Sequence, residues 1–351
     1  MKLALDHWPG ATHEPGAGRY VRELARALVA LPDNSLDITL VEWGRGARVH
    51  GALDAASLPS HARLRRVALP RSWLAFATRL QLGFERLAPE AELVHAVALP
   101  TAFPVPRRAR LSLAVSARPA SFDALRGASV LVTFSEHARS ELARANFDPA
   151  RTLVVPVGCE HFVAPRTASG SLPRVLALGR IDEDRSPLAL LAACERLHDA
   201  GKPVELTFLG RVGDAYDELR ARTTRSRISS RVRFDSQPDD AKVRAALASH
   251  DVLVQLARED WTPVTPLEGL ACGLALVASR LPAYEEALGE LPQWVAATPS
   301  ADELGAAVAR ALELAHTPSH ASAARGHAAE FTWSRNAALT LAGWRSILGL
   351  R

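Results

Sequence analysis

The sequence predicts an α/β fold with two domains, each built on a parallel, doubly wound sheet. The chain has 351 residues, which is more than a single hydrophobic core usually organises. Hydrophobic residues make up 48% and charged residues 23% of the chain, a balance typical of folded globular proteins. Short apolar segments alternate with longer segments of helical period, and this alternation is typical of parallel sheets with helices on both faces.

The short apolar, β-branched segments are predicted to be strands, and the longer periodic segments are predicted to be helices. The strands are 2–5, 36–41, 64–68, 92–95, 111–116, 130–134, 153–156, 174–178, 204–209, 232–234, 251–256 and 274–278. The helices are 19–31, 72–87, 136–145, 187–198, 239–249 and 301–315.

A segment rich in Pro, Gly and Ser near residues 163–172 separates two blocks of alternating strands and helices. Such composition favours turns and linkers. We therefore expect a first domain over residues 1–163, a second over 164–330 and a final helix over 331–351. Both domains are expected to be Rossmann-like and to face each other across a central cleft, because parallel sheets bind ligands at the carboxyl ends of their strands.

Charge and cysteine content narrow the function classes. Residues 1–160 carry 20 Lys and Arg against 15 Asp and Glu, but no zinc pattern, aromatic RNA-binding segment or basic run accompanies this excess, so no nucleic acid is expected. Phosphorylated small molecules or anionic lipid headgroups fit better. The three scattered cysteines indicate buried reduced thiols. Without a signal peptide or a long apolar run, we expect a cytoplasmic protein.

Two carboxylates, Asp260 and Glu268, stand eight residues apart in the segment 258–273, REDWTPVTPLEGLACG. The spacing predicts Asp260 on a Pro-rich loop and Glu268 in the first turn of a helix, where both face one cleft beside free backbone N–H groups. This chemistry suits a polyhydroxylated, phosphorylated ligand. The alternative is a capping box, with Thr265 as the N-cap and Glu268 at the third helical position.

Two other segments carry groups suited to phosphate. Gly16 and Gly18 precede a predicted helix, where glycines let the backbone approach an anionic ligand; an ordinary turn is the alternative. Arg180 and Arg185 follow the predicted strand 174–178. Two guanidinium groups there would offset the charge on a diphosphate leaving group. The alternative is a pair of solvated arginines beside acidic neighbours.

In order and spacing, these segments resemble the retaining GT-B glycosyltransferases of family 4. The segment 258–273 is similar to the family's E-x7-E motif, EGFGLPxLEALACG, with Asp260 in place of the first Glu. An alignment with one inserted residue uses Glu259 instead. The segment GAGRYVREL at 16–24 resembles GIGRYVREL, and LGRIDEDR at 178–185 resembles GRLDxxK, with Arg185 in place of the Lys.

Four further segments extend the resemblance over nearly the whole chain. They are FSEHA at 134–138, similar to VSEFSR; VVPVGCEHF at 154–162, similar to VVPNGVDxxxF; FLGR at 208–211, similar to VGxG; and FTWSRNA at 331–337, similar to FSWERTA. The last segment opens the final helix, which in this family crosses back to the first domain.

The resemblance implies a role for each motif residue. Glu268 would hold hydroxyls of the donor ribose or sugar, and Asp260 or Glu259 would contact the sugar ring. Arg180 and Arg185 would neutralise the donor diphosphate. The other implied donor-binding residues are Gly16, Gly18, Gly210, Val264 and Thr265. The donor would be a nucleotide-diphosphate sugar, and neither a metal nor another cofactor is expected.

The chain departs from the family at one place. The family carries a His-Asp pair after a strand of the first domain, where this sequence has Ser116 and Ala117. His95, at the end of the preceding predicted strand, is expected to be either a catalytic group in the cleft or a packing histidine. The amphipathic segment 70–87 either touches a membrane surface or a lipid-linked acceptor, or covers the first sheet.

We therefore expect a metal-independent transferase that moves a sugar to an acceptor hydroxyl with retention of anomeric configuration. Its place would be glycan, polysaccharide or glycolipid biosynthesis, in the cytoplasm or at the inner face of the membrane. Retaining enzymes of this type use the leaving phosphate to assist the acceptor hydroxyl, so the missing His would lower the rate without abolishing the reaction. The alternative is a catalytically degenerate GT-B subunit that binds a nucleotide sugar or a partner enzyme.

Overall fold

The computed structural model describes residues 1–12, 16–33, 35–43, 53, 55–67, 87–98, 108–167 and 170–350. The chain forms two compact units, one comprising Met1–Gly158 with Thr332–Arg351 and the other comprising Cys159–Phe331. Each unit contains a parallel sheet flanked by helices, which confirms the predicted fold class. The predicted helix 72–87 lies outside the described residues, apart from Leu87.

The first unit is built on a parallel sheet that has seven strands in the described part of the chain. They are β1 (Lys2–Asp6), β2 (Asp37–Trp43), β3 (Ala62–Val67), β4 (Leu93–Val97), β5 (Arg110–Ala114), β6 (Val130–Thr133) and β7 (Thr152–Val154). Their order is β3-β2-β1-β4-β5-β6-β7. Every residue of β4 is buried, as expected for a central strand covered on both faces.

Helices α1 (Trp8–Ala11), α2 (Ala17–Ala30) and α3 (Glu136–Arg144) belong to the same unit. Helix α2 begins after Gly16, whose φ of +63° lies in the region that favours glycine. Ser135 caps α3, because its side chain accepts a hydrogen bond from the backbone N–H of Ala138.

The second unit contains a parallel sheet of six strands among the described residues. They are β8 (Arg174–Leu178), β9 (Glu205–Leu209), β10 (Val232–Asp235), β11 (Val252–Gln255), β12 (Ala275–Ser279) and β13 (Gln293–Val295). Their order is β10-β9-β8-β11-β12-β13. The first strand, β8, therefore lies between β9 and β11, and the chain leaves this centre in both directions. This topological switch point is where doubly wound sheets bind ligands.

The helices of the second unit are α4 (Pro187–Asp199), α5 (Tyr216–Thr224), α6 (Asp240–Ser249), α7 (Val264–Ala271), α8 (Pro282–Leu288), α9 (Ala301–Ala315) and α10 (Pro318–Ala328). One apolar core joins α4 and α9 to the sheet, with Leu190, Leu304 and Val308 almost completely buried. Within the described ranges, no helix is long and apolar enough to cross a membrane.

The final helix, α11 (Trp333–Leu348), groups with the first unit, where it contacts α2 and β6. Trp344 is fully buried, and its Nε1 donates a hydrogen bond to Ser112 Oγ on β5 at 2.9 Å. The first unit ends at Gly158 rather than at residue 163, because the short helix Glu160–Phe162 packs on α7 of the second unit.

Candidate functional site

A pocket in the second unit lies at the carboxyl ends of β8 and β11, at the topological switch point of the sheet. Its cavity volume is about 30 Å³. Leu178, Gly179 and Arg185 line it from the end of β8 and the turn that follows, and Gln255 and Leu256 line it from the end of β11. A basic and an amide side chain thus stand within a largely apolar wall, which is the usual composition of a small-molecule site.

Arg185 is fixed in this pocket by Gln255. The arginine ends a short 3-10 helix, Glu183–Arg185, and is half-buried. In the amide orientation that satisfies both neighbours of Gln255, Oε1 accepts from Arg185 Nη1 at 2.7 Å and Nε2 donates to Leu178 O at 3.1 Å. A guanidinium held in this way is prepared for charge-assisted hydrogen bonds to an anionic group.

The residue after Arg185 has an unusual backbone. Ser186 adopts a left-handed conformation, with φ 47° and ψ 46°, between the 3-10 helix and α4. Such a conformation costs a non-glycine residue on the order of 1 kcal/mol and persists where the surrounding structure enforces it, often beside binding sites. The turn that carries Arg185 is therefore strained.

Arg180 lines the same pocket but is held differently. Its side chain is 59% exposed, and Nε lies 3.2 Å from Asp182 Oδ1. Exposed ion pairs of this kind order a side chain weakly. The structure therefore brings both predicted arginines to one pocket, with Arg185 fixed by the sheet and Arg180 at the surface.

Asp260, on the loop before α7, is influenced by the charge of Arg185. Its carboxylate is half-buried and accepts hydrogen bonds from Tyr284 Oη at 2.9 Å and from the backbone N–H of Thr262 at 3.0 Å. Burial raises the pKa of Asp260, and the positive charge of Arg185 opposes that rise. The predicted sugar-binding acid and the predicted diphosphate-binding cation therefore interact electrostatically.

Glu259, the alternative first acid, is exposed and accepts a hydrogen bond from Trp261 Nε1 at 3.2 Å. The indole itself is fully buried. Of the two neighbouring acids, Asp260 is the one whose pKa responds to the charge of Arg185, and this favours the alignment that uses Asp260.

The expected place of Glu268 in the first helical turn and the alternative interpretation as a capping box with Thr265 are both wrong. Helix α7 begins at Val264 with Pro263 as its N-cap residue, because the chain turns earlier than the Thr265 pattern indicates. Glu268 lies beyond the first turn and is fully buried, with Oε1 2.9 Å from His161 Nε2. It has no exposed surface, so its contact with donor hydroxyls stays a prediction.

The other predicted donor-binding residues lie on turns and helix starts. Val264 and Thr265 open α7, and the N–H of Val264 donates to Thr262 O at 2.9 Å. Gly210 follows β9, where a Cβ would lie 1.7 Å from Gly179 O, so only glycine permits this approach to the pocket wall. Two predicted donor-binding glycines lie in the first unit. Gly16 is exposed and directly precedes α2, and Gly18 is buried in the first turn of that helix.

His95 lies in the core of the first unit. Its Nε2 is 3.1 Å from Tyr20 Oη, its Nδ1 is 3.0 Å from Ser112 Oγ, and its ring packs 4.9 Å from the ring of Trp344. Burial lowers the pKa of His95 to about 3. This environment is that of a packing histidine, and a catalytic role for His95 stays a prediction. Ser116, where the family carries its histidine, is half-buried after β5.

Three residues of the second unit that the sequence did not single out contact the predicted ones: Gln255, Tyr284 and His161. Gln255 could have been recognised from the sequence, because it is a polar residue at the end of an otherwise apolar strand. Tyr284 and His161 gave none, since their partners are distant in sequence. Among the described residues, no His, Cys, Asp and Glu side chains are grouped to hold a metal ion.

Residues 164–326, within the second unit, match the protein family described as Glycosyl transferases group 1. The match covers less than half of the chain, but it includes the whole pocket together with Asp260, Glu268 and Tyr284. The second unit therefore carries a glycosyl transferases group 1 domain. No curated protein sequence matches the chain.

Solved structures resemble the whole chain. A sucrose-phosphate synthase from Thermosynechococcus elongatus is 16% identical, with a TM-score of 0.77 and coverage of 100% of both chains. Anabaena HepE, in complex with UDP and glucose, is 17% identical, with a TM-score of 0.71 and coverage of 97% and 99%. A UDP-forming α,α-trehalose-phosphate synthase from Burkholderia vietnamiensis is 12% identical, with a TM-score of 0.70 and coverage of 99% and 98%. The fold is that of GT-B glycosyltransferases.

Proposed function

We propose that the protein is a family 4 glycosyltransferase that moves a sugar from a nucleotide-diphosphate sugar to an acceptor hydroxyl with retention of configuration. One observation carries this proposal. Arg185 is fixed by Gln255 in a pocket at the switch point of a glycosyl transferases group 1 domain, and its positive charge acts on Asp260. A cation for a diphosphate and a carboxylate for sugar hydroxyls are the groups that such a donor needs.

In the proposed reaction, the bond between sugar C1 and the donor phosphate oxygen breaks while a bond from C1 to the acceptor oxygen forms. The acceptor proton passes to the leaving phosphate. Arg185, with Arg180 at the pocket edge, offsets the negative charge that grows on the diphosphate. Asp260 accepts a hydrogen bond from a sugar hydroxyl. Attack on the face from which the phosphate departs retains the configuration and needs neither a protein nucleophile nor a metal.

The first donors to test are UDP sugars, since HepE was solved with UDP and glucose and the Burkholderia synthase is named UDP-forming. The proposed acceptor is a glycan or a lipid-linked molecule, in the cytoplasm or at the inner face of the membrane. Membrane contact through segment 70–87 is part of this proposal, although that segment lies outside the described residues apart from Leu87.

Two observations favour a second candidate, a degenerate subunit that binds a nucleotide sugar or a partner enzyme without turnover. Ser116 and Ala117 stand where the family has His and Asp, and Glu268 is completely buried against His161. Both features remove groups that the resemblance assigns to the reaction, while the Arg185 pocket is retained.

A thermal-shift screen with UDP, GDP, ADP and their glucose conjugates tests binding. A ligand at about 100 times its dissociation constant should stabilise the protein by ~2.7 kcal/mol. Nucleotide release from the best-binding conjugate then separates the two candidates. Release above background by the wild type, reduced in Glu268→Gln, supports the transferase. Binding without release in either protein supports the degenerate subunit. No binding of any nucleotide contradicts the transferase and leaves, of the second candidate, only a subunit that binds a partner enzyme.

A further inference from the structure

Gln255 is a buried amide at the end of β11, in the wall of the pocket. Only 2% of the residue is exposed, and the rest of the strand is Val252, Leu253 and Val254. An amide buried in such surroundings costs free energy unless it is hydrogen-bonded, and an apolar side chain would fill the same place at lower cost. Burial alone therefore does not explain an amide at this position.

Two neighbours decide the orientation of the Gln255 amide. When Oε1 faces Arg185, it accepts a hydrogen bond from Nη1 at 2.7 Å, and Nε2 donates to Leu178 O at 3.1 Å. The opposite orientation would place two donors 2.7 Å apart and two acceptors 3.1 Å apart. Gln255 therefore ties the guanidinium of Arg185 to the last residue of β8.

The guanidinium of Arg185 also lies close to the backbone of Gly179. The φ of Gly179 is +135°, in the region that favours glycine, and a Cβ there would lie 3.4 Å from Arg185 Nη1. A side chain at this position would crowd the guanidinium. The two groups next to the charged end of Arg185, an amide and a glycine backbone, are thus both neutral.

Two acids on the turn that carries Arg185 pair with other arginines. Asp182 Oδ1 lies 3.2 Å from Arg180 Nε, and Glu183 Oε1 lies 3.0 Å from Arg258 Nη2. Among the described residues, no carboxylate forms an ion pair with Arg185. Its guanidinium is therefore held by a neutral acceptor, and its charge stays available to an anionic ligand.

We propose that Gln255 is a positioning residue that fixes Arg185 without neutralising it, and that this neutral anchor sets the preference of the pocket for phosphorylated ligands. The role rests on the proposed function and deepens it, because Arg185 is the group that meets the donor diphosphate. A carboxylate in the place of the amide would hold the guanidinium but compete with the diphosphate for its charge. An apolar side chain would leave the charge but release the guanidinium from its fixed position.

The test measures the affinities of uridine and UDP by calorimetry for the wild type, Gln255→Glu and Gln255→Leu. Gln255→Leu removes the anchor and should weaken UDP about three- to fivefold. Gln255→Glu pairs Arg185 with a carboxylate and should weaken UDP at least about tenfold. Uridine affinity should stay unchanged in both variants.

The order of the two losses separates a neutral anchor from a merely structural residue. Glu has nearly the shape of Gln and keeps a partner for Arg185, so a structural role predicts that Gln255→Glu is the milder change. A neutral anchor predicts the reverse order for UDP affinity. Thermal unfolding of each variant shows that the protein compared is folded.

A matched control is available in the same unit. Gln293 Oε1 on β13 accepts a hydrogen bond from Arg310 Nε at 3.0 Å, outside the pocket. Gln293→Glu makes the same chemical change beside an arginine and should bind both probes like the wild type. Adding Gln255→Leu to Arg185→Ala should have no further effect on UDP affinity, because Gln255 acts through Arg185.

Four results overturn the role of Gln255 while leaving the proposed function in place. They are wild-type UDP affinity in both Gln255 variants, equal losses for uridine and UDP, a smaller UDP loss in Gln255→Glu than in Gln255→Leu, and a loss from Gln255→Leu that persists undiminished in the Arg185→Ala background. If the wild type itself binds neither UDP nor UDP-glucose, the proposed UDP-sugar function fails first and the role of Gln255 falls with it.

Discussion

Each unit buries polar side chains beside the central strands of its sheet. The two sets differ in whether their hydrogen-bond partners are all buried or include half-buried charged groups. In the first unit, both ring nitrogens of His95 lie within hydrogen-bond distance of hydroxyl groups, and the ring of Trp344 packs against the His95 ring. In the second unit, the buried Gln255 and Tyr284 are hydrogen-bonded to the half-buried Arg185 and Asp260, respectively. A cluster closed on itself stabilises a fold, whereas one that ends in half-exposed charges is prepared for a ligand.

The largest expected effect tests the closed cluster. Trp344→Ala should destabilise the first unit by about 3–5 kcal/mol, because it leaves a large cavity and removes the donor to Ser112. The free energy of unfolding in urea measures this. Leu339→Ala on the same helix is the control, since Leu339 is 42% exposed. Equal losses in both variants would show that Trp344 is not a core residue.

Arg185→Ala tests the open cluster. It should weaken UDP binding by ~1.5–3 kcal/mol, or about 10- to 100-fold, because a charge-assisted contact to phosphate is lost. Uridine binding should hardly change, and calorimetry with both ligands measures the difference. The same loss for uridine and UDP would mean that Arg185 does not contact the diphosphate.

The pH dependence of the free energy of unfolding tests whether His95 is buried in its neutral form. Burial lowers the pKa of His95 from 6.5 to about 3. The unfolded chain therefore binds a proton that the folded chain excludes, and this residue lowers stability as the pH falls from 6.5 towards 3, by up to about 1.4 kcal/mol per unit. His95→Gln should remove that slope. Urea unfolding at several pH values compares the two proteins, and parallel profiles would contradict the assignment.

The smallest expected effect separates the two arginines of the pocket. Arg180→Ala should weaken UDP binding by about 1 kcal/mol or less, because this exposed side chain is ordered only by its ion pair with Asp182. Calorimetry under the conditions used for Arg185→Ala gives the comparison. A loss as large as that of Arg185→Ala would show that burial does not decide which arginine matters.

Most of the fold was predictable from sequence, because most of the strands β1 to β12 are short segments rich in apolar residues, and that pattern is local. Strand β13 was not predicted, since its three residues, Gln293–Val295, are too few to show a period. The start of α7 was also misplaced. Thr265 followed by Pro266 is a typical helix start, but the helix already begins after Pro263. Which of two nearby residues starts a helix depends on packing, which the local sequence does not show.

The candidate site was predictable where a local motif carries it and not elsewhere. Arg185 and Asp260 stand in recognisable segments, and the charge of Arg185 lowers the pKa of Asp260 against the effect of burial. Their partners, Gln255 for Arg185 and Tyr284 for Asp260, are distant in sequence and become visible only in the folded structure. The burial of Glu268 against His161 likewise depends on a contact between distant segments.

Because α11 belongs to the first unit, it affects the order in which the two units can fold during translation. Residues 159–331 form a continuous unit that can fold as soon as they leave the ribosome. The first unit is synthesised earlier but lacks Trp344 until the last residues emerge. Until then, Ser112 lacks the hydrogen bond from Trp344, and the ring of His95 lacks its contact with the Trp344 ring. The half of the protein that is translated first is therefore the half that is completed last.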